Sequence, residues 1–195
     1  MIRGILLAAG MGRRIGSPKA LVALDGRTFH QRAVTALRDA GLEIVTVVNT
    51  AVSEALPAPD SHEIRVVNLD PDQEGGMFAS IRLGVAEALR LGATGAVLLP
   101  VDHPRVTADD VRSVIETLTA GAPIVVPTHE GRRGHPVGVS RAVMEEIEAA
   151  PGHSTLRDLV RRLPARVVET EASEGAILGV NTREDLERVS NRTFR

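Results

Sequence analysis

Residues 2–9 are apolar almost throughout and run straight into Gly10-Met11-Gly12. A continuous apolar stretch of that length, ended by glycine, reads as a strand buried on both faces, the kind found in parallel sheets covered by helices. The rest of the chain repeats the theme, alternating apolar runs with amphipathic segments. That alternation points to an α/β fold: three layers, a mixed but mostly parallel sheet, and helices on both faces.

The spacing of Phe29, Ala33, Val34 and Leu37 predicts a helix over residues 28–40, stopped by Gly41. Strands are expected at 43–49 and 63–67, with a loop marked by Pro57 and Pro59 between them. A helix over 77–91 is entered through Gly75-Gly76. A strand over 95–101 runs into Asp102, and Thr107 caps a helix reaching about residue 119. Beyond Ala122 the pattern loosens. Expected there are a strand at 123–127, a polar loop at 130–134, a short antiparallel strand at 136–139 and two helices, the second from Ser154. Strands at 166–169 and 176–180 and a helix over 182–189 complete the reading. No repeat, low-complexity segment or linker divides the chain, so residues 1–195 read as a single domain.

Composition removes several function classes. With three Phe and neither Trp nor Tyr, the chain has little with which to stack single-stranded bases. A net charge of −2 argues against a general nucleic-acid binder, which carries a basic footprint. The absence of cysteine excludes disulfides, thiolate metal sites and a cysteine nucleophile. No run is long enough to span a bilayer, and the apolar N-terminus lacks the basic region and cleavage site of a signal peptide. A cytoplasmic protein, monomeric or a small homo-oligomer, is the expectation.

The chemistry gathers at the first loop. Gly10 and Gly12 let backbone N–H groups approach a polyphosphate closely, and Arg14 and Lys19 supply cations nearby. A nucleoside triphosphate carries about four negative charges near neutral pH, so backbone groups alone would not neutralise it. The glycines by themselves suit a tight strand-to-helix turn equally well. A dinucleotide fingerprint would need a third glycine at Ile15, where none stands.

Three more segments carry candidates. Asp102, in LLPVDHP, lies just past a buried strand, where such sheets place ligands and where a carboxylate can hold Mg²⁺. A turn-capping aspartate is the other reading; His103 is a loop neighbour rather than a ligand. Gly76 and Ser80, in GGMFASIRLG, sit at a helix start with uncovered N–H groups, on a helix whose Met77, Ile81 and Val85 are core. Gly134-His135-Pro136 is a constrained turn that would hold His135 at a loop tip, beside Arg132 and Arg133.

The string LAAGMGRRIGSPKAL, residues 7–21, resembles the signature LAAGxGxRMGxPKxL of nucleotidyltransferases with a glycosyltransferase-A-like fold, the nucleotide-diphospho-sugar transferase fold. The resemblance implies that Leu7, Ala8, Ala9, Gly10 and Gly12 contact the nucleotide, with Arg14 on the leaving pyrophosphate and Lys19 near the α-phosphate. It assigns Asp102 to Mg²⁺. GMFAS and GHPV resemble the molybdopterin cytidylyltransferase branch of the MobA/MocA-like enzymes. There Gly76 and Ser80 approach the nucleotide, Asn68 helps read the base, and Arg133 and His135 meet the acceptor. Ala9 leans the base choice to CTP, since LAGG accompanies guanylyltransferases.

Near the C-terminus LGVNTREDL resembles a DxDTPEDL-type segment that brings a second metal ligand. Asn181 takes the carboxylate position, Gly179 replaces the other acid, and an N-cap of the last helix is the alternative role for Asn181. Gly12 and His103 also depart from that branch, which often has Ser and Gln there. The resemblance implies in-line attack by an acceptor phosphate on the α-phosphorus of CTP, with pyrophosphate leaving. The acceptor is molybdopterin, placing the enzyme in molybdenum cofactor biosynthesis, or else a sugar 1-phosphate, which GVN favours. A nucleotide-binding module that has lost catalysis is the third reading.

Overall fold

The computed structural model describes residues 1–70, 76–151, 154–162 and 166–191. Its elements keep the predicted order, with β2, β3 and α2 added to it: β1 (Ile2–Leu7), β2 (Ala23–Leu24), β3 (Arg27–Thr28), α1 (Phe29–Asp39), β4 (Glu43–Val48), α2 (Thr50–Ala55), β5 (Glu63–Val67) and α3 (Gly76–Arg90). Then come β6 (Gly95–Pro100), α4 (Ala108–Thr119), β7 (Ile124–His129), β8 (Arg132–Arg133), β9 (Val137–Ser140), α5 (Arg141–Ala149), α6 (Leu156–Arg162), β10 (Val167–Glu171) and α7 (Arg183–Ser190). The main sheet has the order β10-β7-β9-β6-β1-β4-β5, with β8 paired to β7. β1 is parallel to both β4 and β6, β5 to β4 and β10 to β7; β9 runs antiparallel to β6 and β7. The antiparallel excursion is the one expected near residues 136–139.

Alternating side chains of each central strand feed two cores. Leu6, Val97 and Leu99 face Phe29, Val34 and Leu37 of α1 and Val111 and Val114 of α4. Ile5, Leu7 and Leu98 face Phe78, Ile81 and Val85 of α3 and Val143 and Ile147 of α5. This is the three-layer α/β/α arrangement read from the sequence. Lacking large aromatics, the layers close through small contacts: a Cβ at Gly84 of α3 would lie 2.5 Å from Ile5 Cγ2 on β1. The helix therefore rides low on the sheet, and its first turn overhangs the end of β1.

Several boundaries differ for local reasons. α2 was hidden between strand 43–49 and the prolines; Asn49, expected as a strand residue, caps it by accepting from Val52 N. α1 begins one residue late because Thr28 is its N-cap, in a capping box with Gln31, and Thr107 makes the same box with Asp110 for α4. The polar loop at 130–134 is a tight β7–β8 hairpin turning through Glu130 and Gly131, both with positive φ. Thr155, not Ser154, caps α6 by accepting from Asp158 N. Residues 176–180 form no strand. Their first two residues end a 3-10 turn, Glu174–Ile177, and Val180 N donates to Asp102 O instead of to a ladder. Gly75, expected to open α3, lies outside the described residues.

At the β5 edge His30 Nε2 lies 3.1 Å from Glu63 Oε1, and both side chains are buried. Burial pushes the Glu63 carboxyl up, but hydrogen bonding from His30 and the nearby Arg65 charge outweigh it and hold it below its usual value. A carboxylate depressed in the folded state adds stability above its unfolded value and loses that stability as pH falls through the folded one. Glu63→Ala should lower stability by roughly 3 kcal/mol at pH 7, since it leaves a buried partner alone. In urea unfolding, the gap between wild type and variant should close as the pH is taken below the carboxylate range. A gap that stays constant with pH would show that the pair contributes packing only.

Candidate active site

β1, β4 and β6 end together, and the segments leaving their ends are tied to neighbouring strands. Ala8 N donates to Val47 O and Val101 N to Leu7 O. The loop after β1 then folds on itself: Gly12 O accepts from Ile15 N and Gly16 N, and Gly10 O accepts from Lys19 N. Gly12 has φ of 60°, and a Cβ there would come within 1.9 Å of Ser17 O, so the turn admits no side chain. Ile15 is buried and anchors the loop to the α1 side, while Arg14 is exposed. Lys19 opens a 3-10 turn, Lys19–Leu21, that points its chain back toward the sheet.

Its ammonium reaches a meeting point of three separated segments. Lys19 Nζ is 2.6 Å from Asp102 Oδ2 and 2.7 Å from Asn181 Oδ1, and Arg14 also reaches Asn181 Oδ1 at 3.5 Å. Asp102 is brought there by the end of β6. Asn181 is brought by the Val180 N–Asp102 O bond and by its own N–H donating to Asp185 Oδ2. Thr182, not Asn181, caps α7, so the Asn181 amide is left to the site. Burial pushes the Asp102 carboxyl up; the His103 hydrogen bond and charge, with the Lys19 ammonium, pull it well below the usual carboxylate range. Asp102 is therefore ionised, and two oxygen donors converge on a single cationic position.

That donor set suits a hard divalent cation: two oxygens focused on one point where a positive charge already sits, with room for substrate oxygens to complete the shell. Asp102 and Asn181 are the residues that would hold it. Among the described residues no cluster of three or more His, Cys, Asp or Glu competes for the role.

The meeting point borders a cleft of about 210 Å³ lined by Leu7, Ala9, Gly10, Met11, Lys19, Gly76, Met77, Ser80 and Asp102, among others. The structure thus brings most of the sequence candidates to one place. A larger cavity of about 550 Å³ opens around Met1, Leu42 and Leu118, but no charged side chain lines it, and the Met1 ammonium there is bonded to Thr94 Oγ1, too little charge to neutralise a polyphosphate. Asn68 lies behind the cleft wall instead of lining it: Nδ2 donates to Ser80 Oγ at 3.0 Å and Oδ1 accepts from Asp70 N.

Two acceptor-side candidates stand differently from expectation. His135 is not at a loop tip. Its ring packs against His103 with centroids 4.5 Å apart at 62°, and its backbone N–H donates to Ala176 O. Burial and the charge of His103 lower its pKa to about 3, so it is neutral at pH 7. Arg133 is exposed and pairs with Glu169 of β10 at 2.8 Å. The turn draws His135 inward and leaves it half-buried, with Gly134 tight against the Ala176 carbonyl, 2.3 Å from where its Cβ would be.

Sequence reasoning missed Asn49 and undervalued His103. Asn49 Nδ2 donates to Ala9 O at 2.9 Å, pinning the start of the phosphate loop while Oδ1 caps α2. Its signal was a cap-type residue at the end of a strand with short helical spacing after it.

Residues 4–167 match the family described as MobA-like NTP transferase domain. The chain is 30% identical over 135 residues to the protein named "Probable molybdenum cofactor guanylyltransferase" of Bacillus cytotoxicus, covering 68% of this chain and 64% of that one. It is 36% identical over 126 residues to the 2-C-methyl-D-erythritol 4-phosphate cytidylyltransferase of Saccharopolyspora erythraea, covering 62% and 56%. These matches span less than two thirds of either curated relative. Among solved structures, Rv0371c from Mycobacterium tuberculosis H37Rv is similar with a TM-score of 0.84, 29% identity and 98% coverage of each chain. A manganese complex of Rv0371C is similar at 0.78, with 26% identity over 98% of this chain and 99% of that one. With a match over most of its length, and a cleft at the C-terminal end of a parallel sheet, this chain belongs to the MobA-like NTP transferase domain family.

Proposed function

We propose that this single domain is a Mg²⁺-dependent nucleotidyltransferase that moves CMP from CTP to the phosphate of molybdopterin, releasing pyrophosphate. The observation that carries the reading is the convergence of Lys19, Asp102 and Asn181 within 2.7 Å beside a glycine loop. Gly10 and Gly12 offer backbone N–H groups to the phosphates, Arg14 holds the departing pyrophosphate, and Lys19 meets charge at the α-phosphate. Gly76 and Ser80 border the nucleotide, with Asn68 fixing Ser80. Arg133 faces the acceptor phosphate by exchanging Glu169 for it, and His135 shapes the wall behind. A bound Mg²⁺ on Asp102 and Asn181 would screen the phosphates from one another.

An acceptor phosphate oxygen forms the new bond to the α-phosphorus as the bond to the pyrophosphate oxygen breaks. The acceptor is already ionised at pH 7, so no general base is required, and the residues supply position and charge. A cytoplasmic site of action accords with this substrate. Among the described residues no helix is long and apolar enough to cross a membrane.

Ala9 supports CTP, its methyl lining the cleft where the guanylyl branch carries glycine. The name of the Bacillus cytotoxicus relative favours GTP, and Asn181 favours a sugar 1-phosphate as acceptor. The test is pyrophosphate release for all four NTPs against molybdopterin and a panel of sugar phosphates. The expected result is Mg²⁺-dependent release with CTP and molybdopterin at least tenfold above any other pair. GTP leading would overturn the base assignment. Tight nucleotide binding without turnover on any acceptor would make the chain a binding module.

A further inference from the structure

Three observations around His103 go unused by that mechanism. His103 Nδ1 lies 3.1 Å from Asp102 Oδ1, the carboxylate oxygen opposite the one that faces Lys19. The His103 ring is met on one side by the His135 ring, in an edge contact at 4.5 Å. On another side stands Gly179, where a Cβ would be 3.4 Å from both His103 Cε1 and Nε2 and 3.6 Å from Asn181 Nδ2. A side chain at 179 would thus begin in ordinary van der Waals contact with the imidazole.

The imidazole thus sits between the His135 ring and the segment that delivers Asn181, with its Nδ1 on Asp102. An ionised carboxylate only accepts, so His103 Nδ1 carries the hydrogen and donates it to Oδ1. A carboxylate on a short side chain has one free torsion at its end. Fixing Oδ1 fixes Oδ2, and with it the direction in which Asp102 presents its lone pairs. We propose that His103 is a positioning residue that orients Asp102 for the divalent cation. The inference rests on Asp102 holding that cation, as proposed above.

Partners that orient a metal ligand by hydrogen bonding change metal affinity by roughly 10–100-fold when removed. The test is Mn²⁺ titration of the nucleotide-free protein, read by the paramagnetic resonance signal of unbound Mn²⁺, with thermal unfolding recorded alongside. Wild type should bind, and Asp102→Asn should lose most of the affinity. His103→Ala should weaken binding by roughly 10–100-fold. His103→Asn, whose amide N–H falls near the lost Nδ1–H, should recover most of it. Equal affinity in His103→Ala and wild type would overturn the positioning role alone. Equal weakening in His103→Ala and His103→Asn would reduce His103 to packing and overturn it too. Failure of wild type to bind, or binding indifferent to Asp102→Asn, would overturn the underlying metal assignment instead.

Discussion

Lys19→Met is expected to lower turnover by roughly 10³-fold, at the upper end of what losing one preorganised charge donor costs. The sequence suggests a solvated loop lysine whose loss hardly touches folding. The structure changes that part of the expectation. The Lys19 and Asp102 side chains are only 16% and 12% exposed, so the variant leaves a buried carboxylate with His103 as its remaining partner. Breaking such a pair from one side costs up to about 3–5 kcal/mol, and the methionine chain recovers part of it by packing. The variant should therefore melt several degrees below wild type without metal. Mn²⁺ should raise its melting temperature more than that of wild type, because no ammonium competes for the point between Asp102 Oδ2 and Asn181 Oδ1. Turnover should stay low, since the cation lost from the α-phosphate is not replaced. The measurement is steady-state pyrophosphate release beside thermal unfolding with and without Mn²⁺. Turnover restored together with the melting temperature would show that Lys19 acts on folding and not on the reaction.

The parts of this site that were legible in the sequence are those fixed by chain-local chemistry. A buried strand ending in glycine, Lys19 a few residues on, and Asp102 at the end of another buried strand are each readable because a parallel sheet delivers its strand ends to one place. The helix cap at Thr107 was equally local, completed by Asp110 three positions on, whereas Thr28 and Thr182, expected as first helical residues, prove to be caps of the same kind. The features that escaped depended on contacts across the fold. The short helix after Asn49 has too few residues for periodicity to show, and its cap also pins Ala9 O from forty positions away. Residues 176–180 have strand composition, yet their backbone is claimed by Asp102 and His135. His135 looked like a loop tip because Gly-His-Pro turns usually are. Only the close approach of Gly134 to Ala176 O drives the ring inward onto His103.

Gly10→Ala and Gly12→Ala should separate the two reasons a phosphate loop uses glycine. At Gly12 the reason is internal. The residue sits at φ of 60°, its carbonyl accepts two turn bonds, and an added Cβ would overlap Ser17 O. Relief requires the turn to open, which displaces Ile15 from the core and Lys19 from Asp102. Gly12→Ala is thus expected to lower the melting temperature and to abolish measurable turnover together. At Gly10 the protein itself sets no such demand. A Cβ there meets nothing nearer than Lys19 Cδ at 3.9 Å, and Gly10 lines the cleft. Gly10→Ala should therefore melt with wild type. The added methyl would point along the Lys19 chain into the space a phosphate must enter to reach the loop N–H groups. Nucleotide affinity should fall by about 100-fold, the scale set by losing one or two charge-assisted hydrogen bonds. Calorimetric titration with CTP, paired with thermal unfolding of both variants, distinguishes the cases. Should Gly10→Ala bind CTP like wild type, the triphosphate does not lie against this loop, and the assignment of Lys19 to the α-phosphate falls with it.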